Sequence, residues 1–134
     1  MNHRVVYFEI HAENMQRAVT FYTALFGWRF KRWDGPINYW MIMTGDPKVP
    51  GIDGGLVERH GSSPDEDTPV SAYVCTVDVD DIDAVLARVI MEGGSVAAPK
   101  AEFPGVGFLA YCKDPEGNIF GILQPVMVST VPVA

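Results

Sequence analysis

Between Val5 and His11 apolar and polar residues alternate, with Val6, Phe8 and Ile10 on one side and Tyr7, Glu9 and His11 on the other. Period two of this kind is a half-buried β-strand. The period then lengthens. Asn14 is a good helix N-cap, and Met15, Ala18, Phe21, Tyr22 and Leu25 follow at helical spacing until Gly27 stops the run. Three further strands are expected at Trp28 to Trp33, Asn38 to Thr44 and Gly51 to Arg59, each closed by Gly, Pro or Asp. The first half therefore reads β-α-β-β-β.

Residues 61–69 (Gly-Ser-Ser-Pro-Asp-Glu-Asp-Thr-Pro) are polar and turn-rich, and read as a linker. The second half then repeats the first. Ser71 to Val79 alternates as a strand, Asp80 or Asp81 caps a helix, and Ile82, Val85, Leu86 and Val89 form its apolar stripe. Gly93-Gly94 ends that helix. Strands follow at Ser95 to Ala98 (closed by Pro99), Gly107 to Lys113 and Asn118 to Gln124. The tail from Pro125 to Ala134 is apolar without a pattern, and could pack on a partner chain. A constant offset of 67 residues lays Asn14 on Asp81, Gly27 on Gly94, Gly54 on Gly121 and Tyr7 on Val74. Such agreement points to an internal duplication. The expected fold is α+β: paired βαβββ modules at 4–60 and 70–126 within one domain, with a curved, cavity-lining sheet and the helices outside.

Composition narrows the function classes. With 134 residues, 48% of them hydrophobic, the chain can bury a core. Its net charge of −7 argues against nucleic acid and anionic membrane surfaces as partners. No run is long enough to span a bilayer and the start lacks a signal-peptide pattern, so a cytoplasmic location is expected. Cys75 and Cys112 lie in apolar strand patterns and are expected to be free, buried thiols.

The segment Glu13-Asn14-Met15-Gln16-Arg17-Ala18-Val19-Thr20-Phe21-Tyr22, followed by Leu25-Phe26-Gly27-Trp28, resembles the opening of vicinal oxygen chelate proteins. The turn Asp114-Pro115-Glu116-Gly117-Asn118 is similar to their C-terminal signature. That superfamily includes glyoxalase I, extradiol dioxygenases and bleomycin-resistance proteins; more narrowly, the chain resembles small bacterial glyoxalase-related proteins. The resemblance implies a divalent metal at the cavity base, held by His, Glu or Gln and acting as a Lewis acid on vicinal substrate oxygens. Carried across by motif, the ligand positions fall on Tyr7, Val74 and Gly121, with Gly54 as the fourth to within about one or two residues. Val and Gly offer no donor, and a lone Tyr makes no site. The expectation is no glyoxalase I activity and no cofactor, with an atypical divalent metal left open.

Other residues could carry chemistry. Glu9 lies beside Tyr7 on the face away from the helix, where it is a candidate general base, or else an ordinary hydrogen-bonded acid. His3, His11 and His60 share no ligand spacing, although Glu9 and His11 could pair. Tyr39, Trp40, Met41 and Met43 either line an apolar pocket or belong to core or interface; Phe108 and Tyr111 pose the same question. Cys112 has no cationic neighbour on its strand face and reads as structural. The glycines of 51–55 and 105–107 match no phosphate-binding fingerprint. The acidic runs 65–67 and 78–83 lack calcium-loop spacing.

The expected pocket comprises Tyr7, Glu9, Trp40, Gly54, Val74, Thr76, Gly121 and Leu123. The expected function is metal-free binding of a small apolar or aromatic molecule by a homodimer. The alternative is a lyase- or dioxygenase-like enzyme on a small oxygenated substrate, using Glu9 and Tyr7 or an atypical metal. A purely structural interaction role is a third reading.

Overall fold

In the computed structural model, which describes residues 3–71 and 73–126, the element order is that of two βαβββ modules. The first contains β1 (Val5–Ala12), α1 (Met15–Phe26), β2 (Arg29–Arg32), β3 (Tyr39–Met43) and β4 (Asp53–Glu58). The second contains β5 (Val74–Asp78), α2 (Ile82–Met91), β6 (Ser95–Phe103), β7 (Gly107–Lys113) and β8 (Ile119–Pro125). The fold class is α+β. Two compact units result, one of residues 6–75 and one of residues 3–5 with 76–126.

In the first unit the strand order is β2-β3-β4-β1, with β1 parallel to β4 and the other pairs antiparallel. The alternation of β1 sends Phe8, Ile10 and Ala12 into a core with Ile42 and Leu56. Met15, Ala18, Val19 and Tyr22 of α1 pack on that cluster from one side. Asn14 caps α1 by accepting the Arg17 N–H, and Gly27 ends it at φ 73, where a side chain would be strained.

The second unit repeats the plan with strand order β5-β8-β7-β6. Val79, Ile82, Ala110, Cys112 and Ile122 form its core, and Val85, Leu86 and Val89 of α2 pack against it as their stripe predicts. Asp81, rather than Asp80, is the N-cap. The C-terminal turn closes on Asp114, whose carboxylate accepts the N–H groups of Glu116 and Asn118 and the Asn118 side-chain amide. Gly117 sits there at φ 84.

Several expectations need correcting. The stop of α2 is Gly93 at φ 95, one residue before the expected Gly94. The Gly93 and Gly94 N–H groups return to Ile90 and Val89, a Schellman closure. Residues 27 and 93 differ by 66, so the repeat offset falls from 67 to 66 once the shorter second helix has passed. β6 runs through Pro99 to Phe103, because it is the edge of its sheet and is bulged, so a missing N–H costs it no ladder bond. Cys112 is buried as expected, but Cys75 is exposed, since it points away from the buried side of β5 where Val74 and Thr76 lie. Residues 61–69 form no helix or strand and are exposed, with a small turn closed between Asp65 and Thr68. Residues 127–134, the bulk of the apolar tail, lie outside the described residues. Among the described residues no helix is long and apolar enough to cross a membrane.

Candidate functional site

The helix of the first unit covers one face of its sheet, and the other face carries the candidate site. Which side chains reach that face follows from the core. Phe8 and Ile10 face α1, so Tyr7, Glu9 and His11 face away. Trp40 and Ile42 pack with the core, so Tyr39, Met41 and Met43 face away. This settles the parity of β3 and corrects two expected pocket residues. Trp40 packs against the core cluster on the helix side. Gly54 lies against Phe8: an added Cβ would sit 2.5 Å from the Phe8 carbonyl oxygen and 2.6 Å from its ring. The β4 residues that share the face of Tyr7 are Asp53, Gly55 and Val57.

Tyr7 and Tyr39 meet over Gly55. Their hydroxyls are hydrogen-bonded across β4. An added Cβ at Gly55 would collide with the Tyr39 hydroxyl, so the missing side chain makes room for the pair. Burial pushes the Tyr7 phenol above its ordinary value; the hydrogen bond to Tyr39 opposes this, and the carboxylates of Glu9 and Asp53 add to it. Tyr7 is therefore a neutral phenol at physiological pH. Glu9, next on the same face, is only 8% exposed. It is a buried carboxylate beside a neutral phenol, an arrangement able to accept or relay a proton.

His11 completes the row. Burial pushes its imidazole below the ordinary value; the charge of Glu9 opposes the shift, and the charges of Arg59 and His60 reinforce it. Its carbonyl oxygen accepts a 2.8 Å hydrogen bond from Arg59 Nη2. A cleft of about 310 Å³ opens at this end of β1, lined by residues including His11, Asn14, Arg17, Phe21 and Arg59. No spacing in the sequence links Arg17 to Arg59, and the fold brings both to this cleft.

In the second unit the same separation holds. Ala110, Cys112 and Ile122 face α2, and Phe108 packs with them. Tyr111, Gly121 and Leu123 face away, and Thr76, 3% exposed, pairs in register with Gly121. An added Cβ at Gly121 would lie 2.9 Å from Thr76 Oγ1 and 3.3 Å from the Tyr111 ring. Val74, also buried, shares the face of Thr76 along β5. The expected pocket residues thus fall on the helix-free faces of their own units, except Trp40 and Gly54, and except Val74, which belongs to the unit of residues 6–75. Tyr7 and Glu9 are neighbours in the first unit; Thr76, Gly121 and Leu123 are neighbours in the second. Cys112 sits in the core, its thiol pushed up by burial, as suits a structural residue.

The donor set does not fit a metal held at the positions that the sequence resemblance implies. Val74, Gly121 and Gly55 bring no side-chain donor. The space a longer residue would need is taken by the Tyr39 hydroxyl at Gly55, and by Thr76 and Tyr111 at Gly121. Among the described residues no three His, Cys, Asp or Glu side chains come together as a metal cluster.

Comparison with known proteins gives a concordant picture. The model of the glyoxalase/bleomycin resistance protein/dioxygenase superfamily matches residues 4–122. Proteins from Mycobacterium tuberculosis and Mycobacterium bovis, each described as "Putative glyoxylase CFP32", are 32% identical over 123 residues, covering 90% of this chain and 44% of theirs. The chain thus spans less than half the length of these curated relatives. Among solved structures, "hypothetical protein BH1468" from Bacillus halodurans C-125 has a TM-score of 0.70 at 10% identity, covering 98% of this chain and 100% of its own. Methylmalonyl-CoA epimerase from Mycobacterium tuberculosis has a TM-score of 0.66 at 14% identity, covering 91% and 87%. At such identities these two structures speak for the fold alone.

Proposed function

This chain belongs to the glyoxalase/bleomycin resistance protein/dioxygenase superfamily and has its vicinal oxygen chelate fold; from that premise we propose that it binds a small aromatic or apolar molecule bearing an oxygen acceptor or donor, without the metal the superfamily's enzymes use. The observation that carries this reading is the Tyr7–Tyr39 hydroxyl pair over Gly55. Polar hydroxyls and the thioethers of Met41 and Met43 share one sheet face, a combination suited to an oxygenated apolar ligand. Of the four positions where the resemblance places metal donors, three carry Val or Gly and the fourth carries Tyr7.

The test is a thermal-shift screen of aryl carboxylates, phenols and aryl ketones on protein whose metal content has been measured. Stabilisation of metal-free protein by members of the panel is expected. Stoichiometric Zn, Ni or Fe in the purified protein, with no stabilisation once it is removed, would overturn the reading.

One observation favours a second reading. Glu9 is buried beside a neutral Tyr7, an arrangement that could run acid–base chemistry on a bound oxygenated substrate. If turnover of a screened compound is found, Glu9→Gln should lower kcat by at least about 100-fold. An unchanged kcat would remove Glu9 as the base.

A further inference from the structure

The proposed ligand face has a charged margin. β2 is the edge strand of the first unit, and its register sets Arg29 against Met43 and Lys31 against Met41. Phe30, between them, packs with the core. Strand alternation therefore puts Arg29 and Lys31 on the face of Tyr39, Met41, Met43 and Tyr7. Arg32 falls on the opposite face, paired with Trp40. Both Arg29 and Lys31 are exposed, and among the described residues neither has an ion-pair partner. Arg29 and Lys31 flank the Met41 and Met43 end of a face whose carboxylates, Glu9 and Asp53, lie at the Tyr7 end, and these two cations run against the chain's net charge of −7.

We propose that the ligand of this face is an amphipathic anion: a carboxylate, or a group of like charge, held by Arg29 and Lys31, with an apolar body lying across Met41, Met43 and the Tyr39 ring. This names the ligand class within the function proposed above and rests on it. The spacing supports the assignment. Three strand steps of about 4.8 Å separate β2 from β1, so roughly 14 Å lie between the cationic margin and the Tyr7 strand. Long Arg and Lys side chains, leaning inward, shorten that span to the length of a two-ring aryl acid. A carboxylate at Arg29 and Lys31 gains charge-assisted hydrogen bonds, and Arg presents a fork that matches its two oxygens. Cations on an edge strand also block sheet-to-sheet pairing. The two roles differ in what they do to ligand affinity.

The experiment is calorimetric titration of 2-naphthoate and its methyl ester into wild type, Arg29→Gln/Lys31→Gln and Arg32→Gln, at low and high salt. Wild type should bind the carboxylate about fivefold or more tightly than the ester at low salt, and less so at high salt. The double variant should lose that preference while binding the ester as before. Arg32→Gln, which removes one cation from the other face, should keep it. Equal affinity for acid and ester, or a preference retained in the double variant, would overturn the inference while leaving the apolar-binding reading in place. Binding of neither probe would overturn both. Binding that weakens as protein concentration rises would assign the face to a second copy of the chain, and would also overturn it.

Discussion

Two adjacent glycines of β4 do opposite jobs, and neither can be told from the other by composition. Gly54 lets Phe8 pack against the strand, and Gly55 lets Tyr39 reach Tyr7. Gly54→Ala should cost about 1–3 kcal/mol in chemical denaturation, because its Cβ meets backbone that cannot turn aside. It should leave ligand affinity nearly unchanged in the variant that still folds. Gly121→Ala should cost less, since the Thr76 hydroxyl that it meets can rotate. If Gly54→Ala weakened binding without loss of stability, its placement under Phe8 would be wrong. The faces of Tyr7 and Glu9 were legible from alternation alone. That of Trp40 was not, because Tyr-Trp-Met-Ile-Met is apolar at every position and shows no parity. Asp114 makes a different prediction. Its hydrogen bonds to Asn118, Glu116 and Gly117 hold its carboxyl below the ordinary value of 3.8. The native state therefore favours the ionised form. The resulting stability is present above the unfolded value and is lost as pH falls through the lower folded value. Asp114→Asn should thus be less stable than wild type at pH 7, with the gap closing below about pH 3.8 in acid titrations of the melting temperature.

Both helices start at side-chain caps; the sequence pointed to Asn14 for the first and left Asp80 or Asp81 for the second. Asn14 and Asp81 each accept the N–H of the third residue after them. Asn14→Ala should cost about 1 kcal/mol. The second helix has a further acceptor: the Gln124 side chain takes the Ile82 N–H at 2.9 Å, tying β8 to the start of α2. Gln124→Ala should therefore destabilise this unit by about 1 kcal/mol, and Asp81→Ala/Gln124→Ala by more than either change alone. Equal melting temperatures for Gln124→Ala and wild type would contradict the tie. The duplication was legible, but its register was only half so. α1 has 12 residues and α2 has 10, and beyond the helices the true partner of Gly121 is Gly55, with Leu56 matched to Ile122 in the two cores. A gapless overlay cannot show a deletion inside a helix, because both helices keep their caps; the stripe expected on α1 holds only in part, since Phe21 and Leu25 are exposed and Val19 packs inward with Met15, Ala18 and Tyr22. The length of β6 was hidden for a different reason. Pro99 reads as a strand stop unless it is known that the strand is an edge.

At the scale of the molecule, the two cores and the superfamily could be read from the chain because caps, stripes and turns repeat along it. The chemistry could be read only as a departure: residues without donors at Val74, Gly121 and the β4 glycine. What fills those places was beyond sequence reasoning, since Tyr39 lies 32 residues from Tyr7 and contacts it only after β3, β4 and β1 pair in register. The most direct test of the account is a calorimetric titration of 2-naphthoate into protein stripped with chelator, repeated with Zn or Ni restored and with Tyr39→Phe. The dissociation constant should be the same within about twofold with and without metal, and weaker by about fivefold in Tyr39→Phe, the loss of roughly one hydrogen bond. Binding that occurs only after metal is restored, and is indifferent to Tyr39, would contradict it.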